Sequence, residues 1–114
     1  MKLSYEGIGQ WAATFACGQV EEGELVKISG NGTVAACEDG DAFCGMAVSV
    51  ARGGDACSVQ LGGMVTAGYT GAAPTLGWSS LAGDGSGGVK ALASARAYLV
   101  VEVDTAAKTA TFAL

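Results

Sequence analysis

Gly18-Gln-Val-Glu-Glu-Gly-Glu-Leu-Val-Lys-Ile28, Asn31-Gly32, Asp39-Gly40-Asp41, Phe43-Cys-Gly-Met-Ala-Val48, Arg52-Gly-Gly-Asp55 and Ser58-Val-Gln-Leu-Gly-Gly63 follow one another along residues 18–63. Short apolar runs cut at close intervals by Gly, Asn-Gly and Asp-Gly are the pattern of successive β-hairpins, since these residues tolerate the backbone that a tight reversal needs. Almost nothing in the stretch carries candidate chemistry. It reads as building material and points away from an enzyme.

One hairpin can be registered by parity. A two-residue Gly53-Gly54 loop makes positions summing to 107 face each other, which opposes Val50 to Cys57, Val48 to Val59 and Met46 to Leu61, with Arg52 meeting Asp55 beside the turn. The three apolar pairs then share one face. The other face holds Ala47, Ser49, Ala56, Ser58 and Gln60. At Asn31-Gly32 two registers stay open: a two-residue loop sets Ile28 against Ala35, a three-residue loop against Val34.

The rest of the chain continues this reading. Residues 9–17 form a strand with Trp11, Thr14 and Phe15, and 64–70 another. A loop surrounds the only proline, Pro74; residues 78–82 are a short strand, followed by the turn Gly83-Asp-Gly-Ser-Gly-Gly88. Residues 89–97 have alanine and leucine but no cap, so an irregular strand is preferred over a helix. The chain closes with a hairpin that sets Leu99 against Leu114, Val101 against Phe112 and Val103 against Ala110. The fold class expected is all-β, a small β-barrel or sandwich of short antiparallel strands with little or no helix. Residues 1–17 form an N-terminal arm or first strand and 18–114 a single β domain.

At 114 residues, with 19 glycines and 7% aromatics, one compact core must be assembled from small side chains, and subunit contacts are expected to add stability. Charge is sparse at 15%, with a net charge of −5 and a mean hydropathy of +0.38, as expected of a surface that other protein covers. The acidic balance argues against nucleic acid as a partner, since phosphate neutralisation needs clustered Lys and Arg and the six basic residues are scattered. No apolar run reaches the length of a membrane span, and the start of the chain lacks the apolar core of a secretory signal; no membrane association is expected.

Cys17, Cys37, Cys44 and Cys57 show no Cys-x-x-Cys spacing, and there is no histidine, so a zinc site is disfavoured. Four reduced thiols acting as small hydrophobes are expected, with a Cys37–Cys44 bridge across the Asp39-Gly40 turn as the alternative. Gly83, Gly85 and Gly88 match G-x-G-x-x-G, with Glu102 where a dinucleotide fold places an acid, but the preceding strand is half polar and no full helix follows. Ser86 has no histidine base, so a histidine-based triad is impossible. Glu38, Asp39 and Asp41 lack the ligand spacing of a calcium loop and read as solvated turn charges. Glu21, Glu22 and Glu24 read as an exposed strand edge. Lys108, between Ala107 and Thr109, does not match the Met-Lys-Met of a biotinyl carrier. No catalytic, cofactor-binding or metal site is assigned.

The order Gly18-x-Val-x-x-Gly23-x-Leu-Val-Lys-Ile, Thr33-Val, Gly40-Asp-x-Phe-x-Gly-Met-Ala-Val, Gly54-Asp-x-x-Ser-Val-Gln-Leu-Gly-Gly-Met-Val and Val100-Val-Glu-Val-Asp resembles the tailed-phage head decoration, or capsid cement, proteins over residues 18–104. That resemblance implies an all-β phage or prophage virion protein that binds the outer capsid surface and stabilises the head. Its partner would be the major capsid protein, its state a homo-oligomer with a trimer favoured, and its location the capsid surface after assembly in the bacterial host cytoplasm. Another virion or appendage module, such as a head fibre base or tail-associated domain, and a small-molecule-binding β-barrel are the alternatives. Candidate interface residues are Trp11 and Phe15 near the N-terminus, and Tyr69, Leu76 and Trp78 around the Pro74 loop.

Overall fold

The computed structural model describes residues 10–114. Residues 1–9 of the expected arm lie outside the described residues. Ten strands and no helix occupy the described chain: β1 (Trp11–Cys17), β2 (Leu25–Gly30), β3 (Thr33–Ala36), β4 (Gly45–Val50), β5 (Ala56–Gly62), β6 (Met64–Gly68), β7 (Gly77–Gly83), β8 (Val89–Ala91), β9 (Ala97–Asp104) and β10 (Thr109–Ala113). The first five close into a barrel in the order β1-β3-β2-β4-β5; the second five form a sheet in the order β6-β10-β9-β7-β8. Residues 89–97 resolve into the three residues of β8, a turn, and the start of β9.

The first strand expected over residues 9–17 is β1, a stave of the barrel. It pairs antiparallel with β5 from Trp11 to Ala16 and parallel with β3 at Ala16 and Cys17. The boundary drawn after Cys17 therefore does not separate an appendage from a domain, since residues 18–114 alone would leave β3 and β5 without their common neighbour.

Three hairpins share one deviation from simple parity. Val50 faces Cys57 as expected, but beyond Val48 the register moves by one residue, so Ala47 faces Val59 and Met46 faces Gln60. In the closing hairpin Val103 faces Ala110, yet Val100, not Val101, faces Phe112, and Leu99 faces Ala113, not Leu114. In β2–β3, Gly30 faces Thr33 as a two-residue loop requires, and Ile28 faces Val34 as the alternative register requires, because Ser29 is the extra residue between them. Each is a β-bulge in the first strand of its hairpin; a bulge bends and twists a strand, and in β2 and β4 it does so in the sense that closing a small barrel demands. The Gly53-Gly54 reversal is also wider than expected. Ala51 bonds to Ala56 across residues 52–55, and the Gly54 amide donates to the Ala51 carbonyl.

The side chains form two cores that meet at β2 and β4. Val20, Val26, Val34, Ala47, Cys57 and Val59 fill the barrel, with Phe15, Cys17, Cys44, Val50 and Leu61 packed against them. The second core is built around Phe43, Tyr98 and Phe112, whose rings lie 4.7–5.8 Å apart, with Leu81, Val89 and Val100 beside them. Leu25 and Met46 point into this second core while their neighbours Val26 and Ala47 point into the barrel. Alternation of side chains along a strand thus commits β2 and β4 to both cores at once.

The segment between β3 and β4 binds the two halves together. The Gly40 amide donates to the Gly83 carbonyl, the Gly83 amide donates to the Asp41 carbonyl, and the Cys37 side chain fills the space over Gly83. Asp41 pairs with Lys27 at 2.6 Å and accepts the Glu38 amide, while Asp39 pairs with Lys90 of β8 at 2.7 Å. Asp39 and Asp41 are therefore not the merely solvated turn charges expected, but partners of lysines on two different strands. The Lys27 ammonium, followed by the Glu38 amide, holds the Asp41 carboxyl below its ordinary range, and Asp41 in turn raises Lys27. An acid depressed on folding contributes stability above its unfolded pKa that disappears as pH falls through the folded value. Asp41→Asn should therefore flatten the acid side of the stability curve below about pH 4. Urea midpoints from pH 6 down to pH 3 provide the check, and identical slopes for both proteins would refute the assignment.

Candidate interaction surface

The sheet registers decide which apolar residues face outward. Val65 and Ala67 of β6, Ala110 and Phe112 of β10 and Val100 of β9 turn inward, so the alternate positions form the outer face. Met64 faces Ala113, Ala113 faces Leu99, and Leu99 faces Trp78, which gives one apolar row across four strands. Trp78 is 74% exposed and Leu76, just before it, 63%. Gly77 between them takes φ +88°, a conformation side chains rarely adopt, and so sets the entry into β7. The neighbouring row is polar: the Thr66 and Thr111 hydroxyls meet at 2.8 Å beside Glu102.

A second apolar patch lies on the barrel wall. Trp11, 59% exposed, rests its indole over the α-carbon of Gly62, where any larger residue would collide with it. Its neighbours Gln10, Ala12, Val48 and Gln60 line a shallow groove of about 220 Å³. Val48 is exposed here because it is the bulged residue of β4. Gln60 stiffens the groove floor by donating its amide hydrogens to the Gly62 and Met64 carbonyls.

The five candidate interface residues thus part company. Trp11, Leu76 and Trp78 are exposed, Phe15 is half-buried against the barrel core, and Tyr69 is buried in the second core. Tyr69 continues the inward series Val65, Ala67, Tyr69, a period of two that the sequence displays; grouping it with the Pro74 loop is the error. Met64, Leu99 and Val48 were missed. The first two needed the register of four strands, the third the bulge.

The remaining polar features resolve into structure. Asp84 occupies the Gly83–Gly88 turn, its carboxylate accepting the Ser86 and Gly88 amides and the Thr70 hydroxyl, so an acid already sits on two of the amides that a phosphate would need. A cleft of about 420 Å³ opens beside this turn, lined by Glu22, Glu24, Tyr69, Thr70, Asp84 and Ser86. Among the described residues no group of three or more Cys, Asp or Glu is arranged to hold a metal ion, and no helix is long and apolar enough to cross a membrane.

All four cysteines are free. Burial, reinforced by Asp41, pushes the Cys37 thiol up to about 11; burial, together with a hydrogen bond from the Cys57 thiol to the neighbouring Cys17 sulfur, pushes Cys57 to about 11. A thiol whose pKa rises on folding contributes stability that is complete below its unfolded value, about 8.5, and is lost as pH climbs towards the folded one. Cys37 and Cys57 should therefore stay unlabelled by a thiol reagent at pH 8 until denaturant is added. Rapid labelling of both in the native protein would contradict their burial.

No protein-family model matches this chain, and no curated protein sequence matches it either.

Proposed function

We propose that this chain is a structural virion protein of a phage or prophage that binds the outer surface of the capsid and stabilises the head. The observation that carries the reading is the pair of exposed tryptophan patches on a sparsely charged β scaffold. Trp78 with Leu76, and Trp11 with Val48, present large apolar groups to solvent, while both tryptophans stay outside the two cores. Aromatic anchors of this kind carry much of the free energy of protein interfaces. The order of hairpins in residues 18–104 resembles head decoration proteins and supplies the partner, the major capsid protein. A binding role at the shell surface also suits an acidic chain with scattered lysines and arginines.

The filled barrel favours this reading over a small-molecule barrel, since Val26, Val34 and Val59 are buried in the lumen that a ligand would occupy. Cosedimentation with expanded and unexpanded heads of the phage whose genome encodes the chain tests it. Binding to expanded heads, weakened at least tenfold by Trp78→Ala or Trp11→Ala, is the expected result. Heads that bind neither form of the protein would remove the proposal.

A further inference from the structure

We infer that the cleft beside the Gly83–Gly88 turn is a guanidinium-binding site, in which the Glu24 and Asp84 carboxylates and the Tyr69 hydroxyl receive the side chain of an arginine. This goes beyond the shell reading: it uses neither tryptophan patch and needs no capsid. At about 420 Å³ the cleft falls within the ~300–1,000 Å³ of small-ligand sites. Glu22, Glu24 and Asp84 line it, no lysine or arginine among the described residues does, and the two ion pairs of the described chain lie elsewhere, at Asp39 and Asp41. Negative charge alone would mark only a solvated rim.

Tyr69 makes it more than a rim. The residue is 7% exposed and lines the cleft, yet its hydroxyl has no hydrogen-bond partner among the described residues. No side-chain oxygen there is sealed from solvent without a partner, so the hydroxyl opens to the cleft. A tyrosine enclosed this far ordinarily finds a partner, and a donor seated in the cleft would supply it. The carboxylates are held ready. Asp84 Oδ1 accepts the Ser86 and Gly88 amides and Oδ2 only the Thr70 hydroxyl, which leaves Oδ2 a lone pair. Glu24 Oε1 accepts the Glu21 amide at 2.8 Å, and its side chain lies against Gly87, where a methyl group would press on its Cγ. Among the described residues no group of three or more acids is arranged to hold a metal ion. A planar guanidinium suits such separated acceptors, because it spreads five N–H donors where a metal ion or an ammonium concentrates its charge at a point.

Titration of the full chain with Nα-acetyl-arginine amide, followed by ¹⁵N–¹H NMR, provides the test. The amides of Thr70, Ser86, Gly87 and Gly88 should shift saturably with a Kd of ~1 mM or below, the affinity of a few charge-assisted hydrogen bonds. Tyr69→Phe and Glu24→Gln should each weaken binding about tenfold. Urea midpoints should stay native, since Tyr69→Phe keeps the ring in the core and Glu24→Gln keeps an oxygen for the Glu21 amide. Nα-acetyl-lysine amide should bind about fivefold more weakly, and tetramethylammonium chloride should leave these amides in place. No saturable shift by 20 mM, an equal response to the lysine analogue or to tetramethylammonium, or both variants binding as the parent does would each overturn the inference. Free arginine separates the two sources of the group: tighter binding than the acetyl amide identifies the amino acid itself as the ligand, and equal or weaker binding an arginine carried on a polypeptide. Heads bound by a chain whose cleft ignores arginine would leave the capsid reading standing while this site fell; a chain that binds arginine and ignores heads would do the reverse.

Discussion

Phe112→Ala should be the most damaging single substitution in the molecule, lowering stability by about 3–5 kcal/mol. Phe112 has no exposed surface and stands at 5.8 Å from Phe43 and 5.7 Å from Tyr98, ring centre to ring centre. Removing it leaves a void that neither neighbour can fill, because Tyr98 is tied by its hydroxyl to the Phe43 carbonyl at 3.3 Å and by the Arg96 guanidinium 4.8 Å over its ring. Domains of this size hold a total of only ~5–15 kcal/mol. The variant should therefore be largely unfolded at moderate urea where the parent is native. Near-ultraviolet circular dichroism during a urea titration reads the shift, and a midpoint within error of the parent's would show that the three rings are not the centre of the second core.

Gly45→Ala should be the second most damaging, for the opposite reason. A methyl group at Gly45 would be driven into the backbone carbonyl of Gln60 and against the Val59 side chain. The carbonyl belongs to the neighbouring strand and cannot turn away as a flexible side chain could. Overpacking typically costs about 1–3 kcal/mol, and more where backbone must shift. At Gly18 an added methyl meets nothing within 4 Å, so Gly18→Ala serves as the control and should be close to neutral. Equal midpoints for the two variants would mean that β4 and β5 separate more easily than their register implies.

Much of the architecture was legible from turn chemistry and alternation. Gly53-Gly54 fixed the pairing of Val50 with Cys57, and the Asp104–Lys108 turn fixed that of Val103 with Ala110, because register close to a reversal is a local property. It failed a few residues further on. In Met46-Ala-Val48 three apolar side chains follow in sequence, and nothing local says that alanine goes inside while valine bulges out; the narrow barrel decides. Val100 and Val101 present the same ambiguity, settled by Phe112 across the ladder. The exposed tryptophans were legible as candidate anchors by residue type, but their companions Met64 and Leu99 became visible only through pairings between strands far apart in the chain. The Lys27–Asp41 and Lys90–Asp39 pairs are likewise products of tertiary folding.

The sharing of β2 and β4 between the two cores has a consequence for how the molecule opens. Leu25 and Val26, and Met46 and Ala47, are adjacent along the chain yet anchored on opposite sides. Melting one lobe would strip half the support from the strands of the other, so a long-lived half-melted species has little to stand on. The amides of Val26 and Ala47 should then exchange with deuterium only through whole-molecule opening, and a calorimetric scan should trace a single peak.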